Sequence, residues 1–261
     1  MKCYLCGNDR LKPIFSYNKP DKYIRTIGKP ISARTWWYCP QCELYSNVNE
    51  LNEEEIQDAY LKYRDNEMRG ISVKKEFERI TNIPESENND RYNWLIKHTV
   101  VKDEPKSMID IGSGLGVFPY IMRAIVPHIY CIEPEPESAR FINNELSIRC
   151  INSFYMKGMF EQVDLVTLVH ILEHFTDPIE TLRSIRRFDL KRHGTLFIEV
   201  PDAEEFAYLP KEHDEFNSLH LWFFNVATLD RVVRQARFKP YLVERIYYPE
   251  RKLSRIRMLC K

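Results

Sequence analysis

The segment that most restricts the fold of this chain runs from Ser107 to Glu133. A short apolar run, Met108-Ile109-Asp110-Ile111, meets Gly112-Ser113-Gly114-Leu115-Gly116 and continues into a helix-like Val117 to Val126. A second apolar run, Ile129 to Ile132, ends in Glu133, roughly 20 residues beyond the glycines. Strand, glycine turn and helix make a cofactor-binding unit of a parallel α/β sheet. The glycines let the chain turn sharply and bring its backbone against a ligand without Cβ interference. An acid at the end of the next strand can bind two ribose hydroxyls. If the pattern is only structural, Asp110 and Glu133 cap loops instead.

The same alternation continues. A third strand is expected near Arg149 to Ile151, and Val163 to Val169 is nearly continuously apolar, as in a central strand covered on both faces. A helix from Pro178 to about Asp189 leads to a fifth strand, Gly194 to Pro201, and Tyr241 to Tyr248 with Arg255 to Cys260 complete seven strands. The fold class is α/β, a Rossmann-like seven-stranded sheet over residues 105–261. It is preceded by a helical, charged linker or lid over 52–104 and a small cysteine-bearing module over 1–51.

Within that module Cys3 and Cys6 form one CxxC pair, and Cys39 and Cys42 another. Two such knuckles let four thiolates converge in the closed tetrahedral arrangement of a structural zinc site. The 32 residues between the pairs leave room for a hairpin, with strands expected at Lys12 to Tyr17 and Arg34 to Tyr38. The alternatives are a redox CxxC or unrelated buried cysteines. Cys131, Cys150 and Cys260 sit in apolar stretches and read as core.

Lys+Arg and Asp+Glu both number 38, so no basic surplus exists to neutralise a phosphate backbone, and nucleic acid is not the expected partner. With 44% hydrophobic and 29% charged residues, nothing indicates a disordered chain or a membrane span. The opening MKCYLCGNDR has polar residues and cysteines where a secretory leader has an apolar run, so the expected location is cytoplasmic.

A nicotinamide dinucleotide fingerprint needs its third glycine, or alanine, at position 117, which is Val. The third glycine falls at 116, and the resulting Asp110-x-Gly112-x-Gly114-x-Gly116 resembles motif I of the class I S-adenosylmethionine-dependent methyltransferases. The segment His170-x-Leu172-Glu173-His174-x-x-Asp177-Pro178 is similar to the loop after the fourth strand in many members of that family, and His220-Leu221-x-x-Phe224 resembles their HLxxF segment. In domain order the chain resembles sugar C-methyltransferases and surface-polysaccharide methyltransferases with an N-terminal four-cysteine zinc module.

The resemblance implies S-adenosylmethionine as cofactor, with Gly112, Gly114 and Gly116 along its methionyl part. Asp110 would hold its charged ends, Glu133 its ribose, and Asn152 and Ser153 the adenine, with His170 at the crevice. It implies structural zinc on Cys3, Cys6, Cys39 and Cys42. The sugar C-methyltransferases carry Tyr-His-Glu-His where this chain has Asn217-Ser218-Leu219-His220, so only the last histidine, their base, is matched. The expected reaction is O-methylation of a sugar nucleotide or a glycan precursor, in surface-polysaccharide biosynthesis. His220 is the first candidate for the base, with His170 and His174 behind it.

For His174 the alternative is a hydrogen bond that steadies the loop. A metal site on His170, Glu173 and His174, four apart on one helical face, is the other reading, although the HExxH order is absent. Tyr60, Tyr63 and Arg64 are expected in a lid over the acceptor, and Lys62, Arg64 and Arg69 would suit its phosphate. Methylation of tRNA or protein, and a scaffold that binds the cofactor without catalysis, are the competing functions.

Overall fold

The computed structural model describes residues 1–29, 33–67, 70–100 and 105–261, with the side chains of 63–67, 99, 100, 205 and 207 outside the description. In chain order its first half contains β1 (Lys12–Tyr17), α1 (Lys22–Thr26), β2 (Arg34–Tyr38), β3 (Tyr45–Asn49), α2 (Glu53–Glu67), α3 (Val73–Thr81), α4 (Glu87–Leu95), β4 (Ser107–Ile111), α5 (Val117–Met122) and β5 (His128–Ile132). The second half adds α6 (Pro136–Asn144), β6 (Arg149–Ile151), β7 (Val163–Val169), α7 (Pro178–Ser184), β8 (Leu190–Pro201), β9 (Trp222–Phe223), α8 (Val226–Gln235), β10 (Pro240–Tyr248) and β11 (Leu253–Cys260). Among the described residues no helix is long and apolar enough to cross a membrane.

Seven strands form a mixed sheet in the order β10-β11-β8-β7-β4-β5-β6. β4 runs parallel to both β5 and β7, β5 runs parallel to β6, and β10 and β11 are antiparallel. The chain moves outward from β4 to β6 and then returns to β7 on the other side of β4. The loop after β4 therefore sits where the strand order reverses, which is where α/β sheets bind ligands.

Several element boundaries differ from the sequence expectation, among them β11, which begins at Leu253, and α7, which ends at Ser184. The helix expected over 117–126 ends at Met122, because Arg123 and Ala124 make tight bonds to Tyr120 and Ile121 and the chain must leave the helical region before Pro127. The fifth strand starts at Leu190 rather than at Gly194, where a Cβ would stand 3.1 Å from the carbonyl oxygens of Lys191 and Val163.

The contacts divide the chain into two compact units. The first comprises Met1–Glu67, His170–Arg183 and Ile198–Cys260; the second comprises Met68–Val169 and Ser184–Phe197, with Lys261. In the first unit β1, β2 and β3 form the expected antiparallel hairpin and a third strand, and β9 is added as a fourth. Tyr45 faces Phe223 and Ser46 faces Trp222 across that last pair, so a segment far along the chain covers the edge that β3 would otherwise expose. Trp36, fully buried, meets Phe206, Phe216 and Phe223 edge-on at ring separations of 5.7, 6.1 and 6.1 Å. Such aromatic pairs each add about 0.5–1.5 kcal/mol beyond the area they bury.

In the second unit Phe77 of α3 packs on Phe141 of α6 and Tyr120 of α5, and Trp94 of α4 packs on Phe197. The charged stretch before the glycine loop is helical as expected. Ser72 and Ser86 accept main-chain hydrogens at the starts of α3 and α4 and set those helix boundaries.

Candidate active site

Asp110, Gly112, Gly114, Gly116, Glu133, Asn152 and Ser153, expected at the cofactor, lie in the second unit. Met108 to Ile111 of β4 are all buried between β5 and β7, and the register sets Asp110 beside Thr167, whose Oγ1 donates to Asp110 Oδ1 at 2.5 Å. Burial drives the Asp110 carboxyl up to about 6, against the pull of the Thr167 and Ser113 hydroxyls and of Arg91. A desolvated carboxyl with that pKa is suited to a cationic ligand, which would return it to the charged form.

The glycine loop has φ of 72°, 56° and 76° at Gly112, Gly114 and Gly116. At Gly116 the requirement comes from packing as well as φ. A Cβ there would stand 2.7 Å from Ile142 Cγ1 and 2.9 Å from Leu146 Cδ1, so the glycine lets the start of α5 lie against α6.

Glu133, fully buried at the end of β5, accepts the Gly114 N–H on Oε2 at 2.6 Å and the Glu135 N–H on Oε1 at 2.9 Å. It thereby braces the glycine loop through the main chain. Asn152 donates its amide hydrogens to the carbonyls of Glu133 and Pro134, and the Ser153 N–H goes to Ile151 O.

The histidines lie in the first unit. His170 follows β7 with φ 53°, a left-handed conformation that is uncommon outside glycine and that is held here by its N–H donating to Glu199 O. Only Leu172–His174 form a 3₁₀ turn, so His170 and His174 do not share a helical face as the sequence suggested. The His170 ring sits with Nε2 3.1 Å from Glu199 Oε1 and Nδ1 3.6 Å from Glu173 Oε1. Burial pushes its pKa down, but Glu173 and Glu199 more than offset this and leave it above the ordinary value. Glu199 in turn accepts from the buried Arg257 Nε at 2.5 Å.

His174 and His220 meet ring to ring at 4.8 Å. His174 Nδ1 lies 2.9 Å from Leu219 O, and His220 Nδ1 lies 2.8 Å from Glu215 O. A carbonyl can only accept, so both rings carry their proton on Nδ1 and present Nε2 as a lone pair. The loop-steadying hydrogen bond is thus present at His174 and leaves the other nitrogen for chemistry. Burial, and then the neighbouring His220, lower the His174 pKa to about 4. Glu173, fully buried among these rings, has neither carboxylate oxygen in a hydrogen bond. Burial raises its pKa, but His170 and the other two histidines draw it below the ordinary carboxylate value. Tyr60 of α2 stands edge-on to His174 at 5.9 Å. Tyr63 and Arg64 have a described helical backbone, but their side chains, like all of Arg69, lie outside the described residues.

The loop that carries His220 is held by the N-terminal module. Asn47 donates to the carbonyls of Asn217 and His220, Asn49 to Ser218 O, and Arg34 and Trp36 to Phe216 O. Asp21 accepts the Ser218 N–H and hydroxyl. In the same module Cys3 Sγ is 3.5 Å from Cys42 Sγ and Cys6 Sγ is 3.5 Å from Cys39 Sγ, with all four sulfurs within 4.8 Å. Those separations are far beyond a disulfide bond and close to the sulfur spacing of about 3.8 Å that follows from four thiolates 2.3 Å from one ion.

Sequence reasoning placed Glu173 only in the alternative metal reading and assigned no role to Glu199, Glu215, Arg255 or Arg257. A signal existed for some. Glu199 interrupts the apolar Leu196 to Val200, and Arg255 and Arg257 alternate with Ile256 and Met258 in a fully buried strand. Nothing local marks Asp21, Asn47 or Asn49, whose partners are some 170 to 197 positions away.

The family described as "Methyltransferase domain" matches residues 87–243. A tRNA U34 carboxymethyltransferase of Desulfotalea psychrophila is 29% identical over 119 residues, which is 40% of this chain and 36% of that protein. The chain therefore spans about a third of the length of this curated relative. Among solved structures, the 1,6-didemethyltoxoflavin-N1-methyltransferase of Burkholderia thailandensis, with bound 1,6-didemethyltoxoflavin and S-adenosylhomocysteine, is similar with a TM-score of 0.57 and 17% identity, over 88% of this chain and 94% of that one. The N-methyltransferase NodS of Bradyrhizobium japonicum in complex with S-adenosylhomocysteine is similar with a TM-score of 0.51 and 11% identity, over 72% and 97%. At these identities the likeness to the two structures is one of fold.

Proposed function

The chain belongs to the methyltransferase-domain family, and on that premise we propose that it transfers a methyl group from S-adenosylmethionine to a hydroxyl of a nucleotide-linked sugar or glycan precursor. S-adenosylmethionine supplies a methyl carbon on a sulfonium, which an acceptor oxygen displaces in line. Asp110, desolvated and drawn back to its anion by the positive charge of the methionyl part, anchors that end of the ligand. Glu133 takes the ribose hydroxyls, and the loop of Gly112 and Gly114 offers backbone with no Cβ in the way. Asn152 has both amide hydrogens on the main chain, so Oδ1 is the atom through which it would accept from an adenine amino group.

On the acceptor side the hydroxyl loses its proton at the cluster of Glu173, His174 and His220, with Tyr60 beside it. His170, already held toward the imidazolium by Glu173 and Glu199, contributes charge and position rather than a free base. Cys3, Cys6, Cys39 and Cys42 would hold a structural zinc, since four thiolates would close its coordination and leave no position for a reacting oxygen.

The observation that carries the small-acceptor reading is the direction of the module's polar side chains. Asp21, Arg34, Asn47 and Asn49 are hydrogen-bonded to the loop bearing His220, so the module buttresses an acceptor-side loop within its own unit instead of presenting these groups to a macromolecule. Modification of a surface polysaccharide by a cytoplasmic enzyme is the setting this fits. The curated relative favours tRNA as a second reading.

One experiment weighs both. The zinc-replete chain is incubated with S-adenosylmethionine and, separately, a panel of nucleotide sugars and bulk tRNA, and S-adenosylhomocysteine release is followed. Release with a nucleotide sugar, and a new O-methyl resonance in the product, is the expected result; release with tRNA alone would replace the sugar reading by the second one.

A further inference from the structure

The acceptor cluster contains more unsatisfied coordination capacity than a lone base needs. His174 and His220 both have Nδ1–H tied to a main-chain carbonyl, at 2.9 and 2.8 Å, which fixes the tautomer that offers Nε2. This is the outer-shell arrangement that orients metal-bound imidazoles. Beside them Glu173 is fully buried with both carboxylate oxygens outside any hydrogen bond, a donor that a bound cation would satisfy. His170 stands beside it as an ion-pair neighbour, with Nδ1 3.6 Å from Glu173 Oε1, beyond hydrogen-bond distance, and Nε2 on Glu199, so the Glu173 oxygens keep lone pairs for a ligand. Arg255 is directed to Glu215 and Arg257 to Glu199.

One donor atom from each of Glu173, His174 and His220 lies within 4.8 Å of the others. The three come from two loops that are tied together where Leu221 N–H donates to Glu173 O and Trp222 Nε1 donates to Phe175 O. We propose that Glu173, His174 and His220 bind a borderline divalent transition-metal ion, separate from the four-cysteine site, and that this ion activates the acceptor hydroxyl. Two imidazoles and one carboxylate form the donor set of catalytic divalent sites that keep a position for water or substrate.

The role assigned to the ion rests on the hydroxyl-acceptor reading above. The acceptor oxygen coordinates the ion, its pKa falls as that of metal-bound water does, and its proton passes to solvent. The oxygen then forms a bond to the methyl carbon as the sulfur–carbon bond breaks and its electron pair leaves with sulfur. No oxidant or reductant is involved.

Mn2+ separates the two sites, since a four-thiolate site favours zinc while mixed imidazole and carboxylate donors accept manganese. The full chain loaded with a single equivalent of zinc, which the four thiolates take first, is titrated with Mn2+ and free ion is read by electron paramagnetic resonance, in parallel with Glu173→Gln and His220→Gln variants. Zinc content and S-adenosylmethionine binding of the variants report that each is folded. The expected result is one Mn2+ per wild-type chain, at least a tenfold weaker Kd in each variant, and one zinc retained in all three. Absence of stoichiometric Mn2+ and Co2+ binding by the wild type, or Mn2+ binding unchanged in both folded variants, would overturn the site. Because this readout needs no acceptor, Mn2+ binding without methylation of any hydroxyl compound would sink the acceptor reading and leave the ion site standing.

Discussion

Glu133 has two tasks at one carboxylate. Its main-chain bonds to Gly114 and Glu135 shape the loop, and in the proposed complex the same carboxylate accepts from the ribose. Glu133→Gln keeps the volume but turns charge-assisted bonds into neutral ones, a loss of about 1.5–3 kcal/mol, so S-adenosylmethionine should bind roughly 10- to 100-fold more weakly in calorimetry. Asp110 makes a prediction about pH. Its folded pKa of about 6 is above the unfolded carboxylate value, so the folded state favours the protonated form. That contribution is complete below a pH of about 4 and is lost as pH rises through 6, up to about 3 kcal/mol in the ligand-free chain. Urea midpoints of the ligand-free protein should therefore fall between pH 4.5 and 7.5, and Asp110→Asn should flatten that dependence. An equally steep fall in the variant would assign the effect to other groups.

At the scale of elements, the loop from Phe216 to Phe223 has almost no regular structure of its own beyond the two residues of β9, yet it carries His220. Its conformation comes from side chains of β2, β3 and the α1 N-cap residue Asp21. Asn47→Ala removes two hydrogen bonds to this loop and leaves two carbonyls without their partner, at about 1–3 kcal/mol each for groups out of water. We expect kcat to drop roughly tenfold or more while the Kd for S-adenosylmethionine stays within about twofold, because Asp110, the glycine loop and Glu133, the proposed main cofactor contacts, lie in the other unit. A parallel loss of cofactor affinity would contradict this division. Elements with strong local signals formed where the sequence placed them. Val163 to Val169 is the buried central strand, and the hairpin strands Lys12–Tyr17 and Arg34–Tyr38 occupy the expected residues. Where the structure departs, as at the shortened α5, a competing local rule at Pro127 decided the boundary.

At the scale of the whole molecule, the four cysteines and the histidine cluster belong to one unit and the glycine loop to the other. Structural zinc in four-cysteine sites contributes on the order of 10–16 kcal/mol to the fold it closes. Stripping the metal with a high-affinity chelator should therefore disorder the sheet of β1, β2, β3 and β9. Methyl transfer should be abolished while saturable S-adenosylmethionine binding is kept. Calorimetry and S-adenosylhomocysteine release on the same stripped sample check both halves, and loss of cofactor binding together with activity would show the units to be energetically inseparable.

The sequence alone determined the parts whose physics is local in the chain. A glycine turn after an apolar strand, an acid at the end of the next strand, and paired CxxC knuckles are each legible because the interacting residues lie within a few to about 20 positions and permit few backbones. Only tertiary structure decided that Gly116 serves helix packing, that Glu173 is left without a hydrogen-bond partner between two tautomer-fixed histidines, and that Asn47 and Asp21 hold the His220 loop. Those facts depend on burial and on hydrogen bonds between residues up to 197 positions apart, and neither residue type nor spacing encodes which distant polar groups will meet once water is excluded.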